Sequence, residues 1–337
     1  MKPRAAIAAG ALALAGCAGP QSALDPAGDQ AGHIHGLLQL MLWICGSMYL
    51  LVIGFLAWAL WRNRRRMAAP APEPPEPEAL HDEGITRVMT GWAGLMLAGL
   101  VVLTVGSFLA DRSLARTSAA PLRIKLTAKQ WWWDIEYQAP DVSQNFETAN
   151  ELHLPIDRTV EIELRSQDVI HSFWVPNLHG KEDLIPGRVN HITLTPRRRG
   201  YFRGQCAEFC GLQHAHMALD VVVDDKAGFD RWRLHQLQSA PEPATPTRVI
   251  GRQVFLTRSC SLCHAVAGTG ANSHFGPDLT HVAARRSIAA GSLPYSRGAL
   301  AGWIADPQGL KPGTNMPATG LDGASLNAVV DYLDSLK

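Results

Sequence analysis

The sequence lacks an excess of either charge. It has 31 Lys and Arg against 30 Asp and Glu, which gives a formal net charge of +1. Binding of nucleic acid relies on a strongly basic surface that raises the local concentration of phosphate. This balance therefore argues against a nucleic-acid partner.

Cysteine is also scarce, with six in 337 residues. A small disulfide-bonded domain would show many cysteines at regular spacings. Here they fall in separate contexts, and only four form close pairs. This distribution indicates cofactor binding and excludes a disulfide framework. The cysteines are Cys17, Cys45, Cys206, Cys210, Cys260 and Cys263.

Two stretches lack charge altogether. They run from Leu37 to Trp61 and from Val88 to Ala110, and both exceed the roughly 20 residues that cross a bilayer. We predict transmembrane helices at 37–61 and 88–110.

The connecting segment 62–87 carries several arginines, whereas residues 18–36 carry neither Lys nor Arg. The positive-inside rule then places 62–87 in the cytoplasm of a bacterium and both ends on the periplasmic side of its inner membrane. Glu83, before the second span, is a weak candidate for a proton-channel entrance.

The N-terminus has the pattern of an export signal. Lys2 and Arg4 precede a short apolar stretch that ends in Leu-Ala-Gly-Cys at Cys17. This ending resembles the bacterial lipoprotein processing box, so residues 1–17 are predicted to be a signal peptide with Cys17 lipidated. Cleavage by the ordinary signal peptidase, or no cleavage, remains the alternative.

From residue 121 the apolar residues recur with a period of two. Leu122, Ile124 and Leu126 alternate with polar residues, and the same pattern recurs after Val160 and before Val223. Short alternating segments separated by Pro, Gly and Asp indicate a β-sandwich or barrel. We assign it to residues 121–225.

Within this region one loop concentrates metal-binding side chains. Cys206, Cys210, His214 and Met217 have the spacing Cys-x₃-Cys-x₃-His-x₂-Met. Thiolate, thioether and imidazole suit copper, whereas structural zinc sites usually show Cys-x₂-Cys and no methionine. A second imidazole is available at His171, which follows a predicted strand. Two thiolates can bridge two copper ions; a disulfide or a buried thiol pair is the alternative.

Three segments of this region carry a family resemblance. They are His-Ser-Phe-Trp-Val-Pro at 171–176, Leu-Ile-Pro-Gly-Arg at 184–188 and Gly-Gln-Cys-Ala-Glu-Phe-Cys-Gly at 204–211. Together with the two spans they resemble subunit II of haem–copper cytochrome c oxidases. The resemblance implies a cupredoxin-like sandwich that holds the dinuclear copper centre CuA. The implied ligands are His171, Cys206, Cys210, His214, Met217 and the backbone carbonyl of Glu208.

The same resemblance implies two further roles and a choice between two histidines. The Glu208 side chain would face a magnesium or manganese ion at the junction with subunit I, near Lys181 and Asp183. Trp131, the first residue of Trp-Trp-Trp-Asp, would be the point of electron entry. His216 is the one competitor of His214, whose spacing from Cys210 matches the family.

The C-terminal part carries a haem signature. Residues 226–248 contain a short helical stretch and a proline-rich linker, and Cys260-Ser-Leu-Cys263-His264 follows. Cys-x-x-Cys-His is the attachment site of c-type haem, whereas a thioredoxin-like motif needs no histidine. Met316, in Gly-Thr-Asn-Met-Pro, is the predicted sixth ligand, with His274 and His281 as alternatives. Residues 249–337 resemble class I cytochromes c.

Together these patterns predict a multidomain membrane protein: a two-helix transmembrane hairpin, an all-β cupredoxin-like sandwich and an all-α cytochrome c domain. The fusion resembles the caa-type arrangement, in which electrons from a cytochrome c or a cytochrome bc complex pass through haem c and CuA to subunit I, beside subunit III. No residue of this chain is predicted to be catalytic. A quinol oxidase-like subunit, a copper-delivery protein and a nitrous oxide reductase remain as alternatives.

Overall fold

The computed structural model describes residues 18–67, 83–114 and 121–337. The predicted signal peptide with Cys17 and the proline-rich part of segment 62–87 lie outside these residues. The described chain divides into two units. One contains residues 33–116 and the other contains residues up to 32 together with those from 117 onwards.

The first unit consists of most of one long apolar helix, α1 (Asp29–Met67), whose residues 29–32 belong to the second unit, and of a second long apolar helix, α2 (Glu83–Leu114). Each is long and apolar enough to cross a membrane, with a mean hydropathy of 2.2 in its most apolar part. The helices extend beyond the predicted spans at both ends. Gly106 allows them to approach, since a Cβ there would lie 2.8 Å from a methyl group of Leu40. Glu83, at the start of α2, forms an exposed ion pair of 2.7 Å with Arg87.

The β-domain is a sandwich of a five-stranded and a three-stranded sheet with strand orders β3-β2-β1-β5-β8 and β4-β10-β9. A further pair, β6 and β7, carries the segment that starts at His171. The predicted alternation is present: Ile124, Leu126 and Ile162 are at most 1% exposed. The strands are β1 (Leu122–Lys129), β2 (Trp132–Gln138), β3 (Phe146–Ala149), β4 (Glu151–Pro155), β5 (Val160–Ser166), β6 (His171–Phe173), β7 (Glu182–Leu184), β8 (Asn190–Leu194), β9 (Gly200–Gln205) and β10 (Ala218–Asp224).

The first half of segment 226–248 belongs structurally to the sandwich. Helix α3 (Lys226–Gln236) begins at Asp225, whose carboxylate accepts a hydrogen bond from the amide of Gly228 at 2.7 Å. Phe229 is 1% exposed in the sandwich core, and Trp232 packs beside it. The extended, proline-rich part of the segment is therefore confined to residues 239–245.

The C-terminal domain is helical. Its helices are α4 (Pro246–Thr257), α5 (Arg297–Ala305), α6 (Pro307–Leu310) and α7 (Gly323–Leu333), with a short hairpin of β11 (Ser287–Ile288) and β12 (Leu293–Pro294). Helices α4 and α7 cross at Gly251, where a Cβ atom would lie 2.0 Å from the carbonyl oxygen of Ala328. No side chain fits between these backbones, so the glycine permits the crossing.

Where the sandwich meets α3, a buried histidine lies between two carboxylates. His153 contacts Glu151 and Asp224 at 3.0 Å each, and its ring stacks on Trp232 with centroids 4.1 Å apart. Burial lowers the pKa of His153, but the hydrogen bonds to Asp224 and Glu151 outweigh this effect and raise the pKa above its ordinary 6.5.

This cluster gives a pH-dependent stability. Because the folded-state pKa of His153 is raised, its contribution is complete below about pH 6.5 and is lost as the pH rises through the folded-state value. His153→Phe keeps the stacked ring but removes both hydrogen bonds, so we expect it to lower the free energy of unfolding of the sandwich by about 1–3 kcal/mol at pH 6. Thermal unfolding measured between pH 6 and 9 checks this, and a pH dependence that persists in the variant would contradict it.

Candidate metal centres

The copper-binding residues predicted from the sequence come from two neighbouring elements. His171 is the first residue of β6, and the other side chains lie in the connection between β9 and β10. These two strands pair antiparallel, with Gln205 opposite Ala218. The amide of Cys206 also donates to the carbonyl of Met217 at 2.9 Å. The loop therefore closes on itself and brings its first and last ligand together.

The donor atoms converge on one small volume. The sulfur atoms of Cys206 and Cys210 lie 3.7 Å apart, far beyond the roughly 2.05 Å of a disulfide. This distance overturns the disulfide alternative and leaves room for bridged ions. The remaining separations are Cys206 Sγ to His171 Nδ1 at 3.8 Å, Cys210 Sγ to His214 Nδ1 at 3.6 Å, Cys210 Sγ to Met217 Sδ at 3.9 Å and Cys206 Sγ to the Glu208 carbonyl at 3.2 Å.

The two thiols compete for one proton. The hydrogen bond between them lowers the pKa of Cys206 and raises the pKa of Cys210. Both groups are at most 2% exposed, so a second negative charge is costly there without a cation. Metal ions bind thiolates and supply the compensating charge. The donor set, of soft sulfur and imidazole in a buried site, thus fits two copper ions.

Asp168 orients His171, a contact that the sequence analysis did not predict. Its carboxylate lies 2.8 Å from His171 Nε2 and leaves Nδ1 directed at the sulfur of Cys206. Burial lowers the pKa of His171, but the hydrogen bonds to Asp168 and Cys206 raise it overall. Such carboxylate partners fix the tautomer of metal-binding histidines. Asp168 lies three residues before His171 in the sequence, and this proximity is the signal that could have indicated the contact.

The structure separates His214 from its competitor. His214 Nδ1 faces the sulfur of Cys210, whereas His216 is exposed and its Nδ1 lies 2.7 Å from the side-chain oxygen of Gln213. This arrangement agrees with the choice of His214.

Trp131 links the copper loop to the second cofactor site. Its indole N–H donates to the carbonyl of Cys210 at 2.8 Å, and its side chain is buried. The same carbonyl accepts a second hydrogen bond, of 2.7 Å, from the side chain of Gln130. The backbone N–H of Gln130 in turn donates to the carboxylate of Asp168 at 2.6 Å. The Gln130–Trp131 segment is thereby held against both sides of the copper site.

The haem-binding residues predicted from the sequence line one cavity of about 470 Å³. Its wall includes Cys260, Cys263, His264 and Met316 from the helical domain, with Trp131 from the sandwich. This volume lies within the range of cofactor pockets. Both domains therefore contribute to the cavity.

His264 is held in the orientation that an axial ligand needs. Its Nδ1 donates to the carbonyl of Pro277 at 2.7 Å, which leaves Nε2 free to bind iron. Gly276 packs against the ring, where a Cβ atom would lie 2.8 Å from an imidazole carbon. Burial lowers the pKa of His264 and so favours the neutral form that binds metal.

A buried cation adds to the fit with haem. The guanidinium of Arg285 lines the cavity, and its Nε atom is buried without a hydrogen-bond partner. Haem carries propionate groups, and an unpaired guanidinium nitrogen supplies a donor for such a carboxylate. The alternative ligands His274 and His281 do not line the cavity. His274 contacts Glu147, and both ring nitrogens of His281 face carbonyl oxygens.

Comparisons with known proteins find relatives of both the sandwich and the helical domain. The periplasmic domain of cytochrome c oxidase subunit II matches residues 139–225, and the cytochrome c family matches residues 249–337. Cytochrome c oxidase subunit 2 of Alkalihalophilus pseudofirmus is 34% identical over 97% of this chain and 94% of its own length. That of Bacillus sp. strain PS3 is 32% identical over 97% of this chain and 95% of its own length. The chain belongs to the cytochrome c oxidase subunit II family. The solved periplasmic domain of subunit II from Bradyrhizobium japonicum is 32% identical, covers 36% of this chain and 96% of its own length, and has a TM-score of 0.34.

Membership of the cytochrome c oxidase subunit II family confirms the main predictions. The chain is a component of cytochrome c oxidase with two apolar helices, a cupredoxin-like sandwich and a C-terminal cytochrome c domain. The two family matches imply CuA copper and haem c as cofactors. The apolar helices and the relatives agree with a membrane protein that pairs with oxidase subunit I.

The Glu208 carboxylate lies on the exposed rim of the subunit II copper loop. It forms an ion pair of 3.1 Å with Lys181, which also contacts Asp183 at 3.4 Å. These are the residues that the sequence analysis placed at the junction with subunit I. One carboxylate paired with an ammonium does not by itself form a site for magnesium or manganese.

Proposed function

We propose that this subunit II conducts electrons within a caa-type oxidase, from haem c through CuA to subunit I, where oxygen is reduced to water. When bound, the copper pair and the haem each take up and release single electrons. The observation that carries the proposal is Trp131, which lines the haem cavity and also donates a hydrogen bond to the carbonyl of the copper ligand Cys210.

The proposed residue roles follow from these contacts. His171, Cys206, Cys210, His214 and Met217 would bind copper with the carbonyl of Glu208. Cys260 and Cys263 would form the thioether bonds to haem, and His264 and Met316 would bind its iron. Trp131 would be the electron entry to the copper site. The side chains that surround these ligands exclude water and hold them in fixed positions, which suits electron transfer.

The proposed partners and orientation extend this assignment. Both outer domains would lie on the periplasmic side, and the external donor would be a cytochrome c or a cytochrome bc complex. Subunit III would complete the assembly. A magnesium or manganese ion at Glu208 would need ligands from subunit I and a displaced Lys181, because the ammonium of this lysine is paired with the Glu208 carboxylate.

Trp131→Phe tests the proposed electron path. The variant keeps an aromatic ring but loses the hydrogen bond to Cys210. We expect electron transfer from haem c to CuA to slow by about tenfold or more, because small displacements of reacting groups reduce rates steeply. Laser-triggered reduction of haem c, followed at the copper absorbance, measures the rate.

Trp232→Phe provides the control, since Trp232 packs on His153 away from the haem cavity. Metal analysis of the same preparations should give two copper ions and one covalent haem per chain. A chain that holds zinc alone, or a rate that is unchanged in Trp131→Phe, would contradict the proposed function.

A further inference from the structure

Lys311 is a buried lysine between the two outer domains. It follows α6 and precedes the segment that carries Met316, and it is 2% exposed. Among the described residues it is the only buried lysine. Lysines rarely lose solvent contact completely unless their charge is compensated. The partners of this ammonium therefore indicate what it does.

Three backbone carbonyl oxygens surround the ammonium. Lys311 Nζ donates to Trp131 at 2.7 Å, to His216 at 2.9 Å and to Ala289 at 3.2 Å. An ammonium has three donors, so all of them are used. Two of the acceptors belong to the sandwich and one to the cytochrome domain. One side chain thus ties the proposed electron-entry residue and the copper loop to the domain that binds haem.

Neighbouring contacts hold the same segment against the sandwich. The side chain of Gln213 donates to the carbonyl of Pro312 at 2.7 Å. Gly313 lies against the copper loop, where a Cβ atom would be 3.2 Å from a methyl carbon of Leu212 and 3.6 Å from the Trp131 ring. The segment from Lys311 to Met316 therefore faces the copper loop at close range.

The charge of Lys311 is costly in this position. Burial lowers the pKa of its ammonium to about 7, and no carboxylate of the described residues offsets this effect. The three carbonyl oxygens compensate for the lost water only while the domains are in contact. Without the lysine, the carbonyl oxygen of Trp131 would lose this donor, whereas those of His216 and Ala289 would keep contacts with the hydroxyl of Ser292 at 3.4 and 2.8 Å. The contact therefore favours one relative position of the two domains over others.

We propose that Lys311 is a positioning residue for the electron step between haem c and CuA, because it holds the Met316 segment against Trp131. This inference rests on the proposed function. The step moves one electron from the iron to the copper pair, with no bond made or broken and no proton transferred. Lys311 touches neither cofactor ligand set directly and acts through Trp131 and the copper loop.

Lys311→Met in the complete oxidase tests the proposal. Methionine has a similar length but cannot donate hydrogen bonds, so we expect the docked population, and with it the rate from haem c to CuA, to fall by about tenfold. The haem potential and the copper absorbance should not change. Lys226→Met is the matched control, because Lys226 is an exposed lysine of α3 that pairs with Asp230.

A second readout follows the contact itself. Hydrogen–deuterium exchange of segments 128–133 and 286–292 should increase in Lys311→Met and stay unchanged in Lys226→Met. If Lys311→Met fails to retain haem, Lys311→Gln, whose amide keeps two of the three N–H donors, should give an intermediate rate and intermediate exchange.

The outcomes separate the two proposals. An unchanged rate and unchanged exchange in a variant that holds both cofactors would overturn the role of Lys311 and leave the proposed function intact. Absence of electron transfer from haem c to CuA in the unaltered oxidase would instead overturn the proposed function.

Discussion

Cys206→Ser should abolish the mixed-valence copper signal of the oxidase while leaving the haem spectrum intact. The sulfur of Cys206 lies within 4 Å of the Cys210 sulfur, the His171 nitrogen and the Glu208 carbonyl, so it contacts both halves of the ligand set. A serine hydroxyl is a harder donor and does not ionise near neutral pH, and it cannot bridge two copper ions as a thiolate does. Electron transfer from haem c should then stop at the cytochrome domain.

Copper content, electron paramagnetic resonance and the visible haem spectrum measure this result in one preparation. Cys45→Ser is the matched control, since Cys45 is an exposed cysteine of α1 and receives the same chemical change. We expect the control to keep both cofactors. A dinuclear copper signal that persists in Cys206→Ser would show that the sulfur pair is not the bridge.

Met316→His should lower the reduction potential of haem c. Methionine as a ligand stabilises ferrous iron relative to histidine. Axial ligands tune haem potentials over about 0.8 V, and we expect a fall of roughly 0.2 V for this exchange. Reduction by the external donor would become less favourable, whereas the copper site would keep its properties. Spectroelectrochemical titration of the purified oxidase measures the shift.

Met316→Leu separates loss of a ligand from loss of packing. Leucine has a similar volume but no donor atom, so it should leave the iron with His264 as its only protein ligand. If the haem reduction potential is the same in the unaltered chain and in both variants, Met316 lines the cavity without binding iron.

Local patterns in the sequence predicted the elements and the ligand loops well. Alternation of apolar residues located strands such as β1, whose inward residues Ile124 and Leu126 are buried. The copper loop was predictable because its donors are close in sequence and a β-hairpin closes them into one site. The haem motif is equally local, since Cys260, Cys263 and His264 lie within five consecutive positions.

Contacts between distant segments were not predictable in this way. Lys311 lies in a proline- and glycine-rich turn, where the sequence favours a surface position for a lysine. Its burial arises only where the cytochrome domain contacts the sandwich. A short helical stretch was predicted within segment 226–248, but its packing on the sandwich was not, because two aromatic residues, Phe229 and Trp232, give little indication of a buried face. Their environment is supplied by strands far away in the sequence.

The crossing of α4 and α7 at Gly251 has a consequence for synthesis of the protein. These are the first and last helices of the cytochrome domain, and the crossing brings the Gly251 backbone against Ala328 in the middle of α7. A polypeptide emerges from the ribosome and the translocon N-terminus first, so α4 has no partner until the final helix arrives. The cytochrome domain can therefore complete its core only after α7 has been made, although Cys260 and Cys263, the cysteines proposed to hold the haem, emerge earlier.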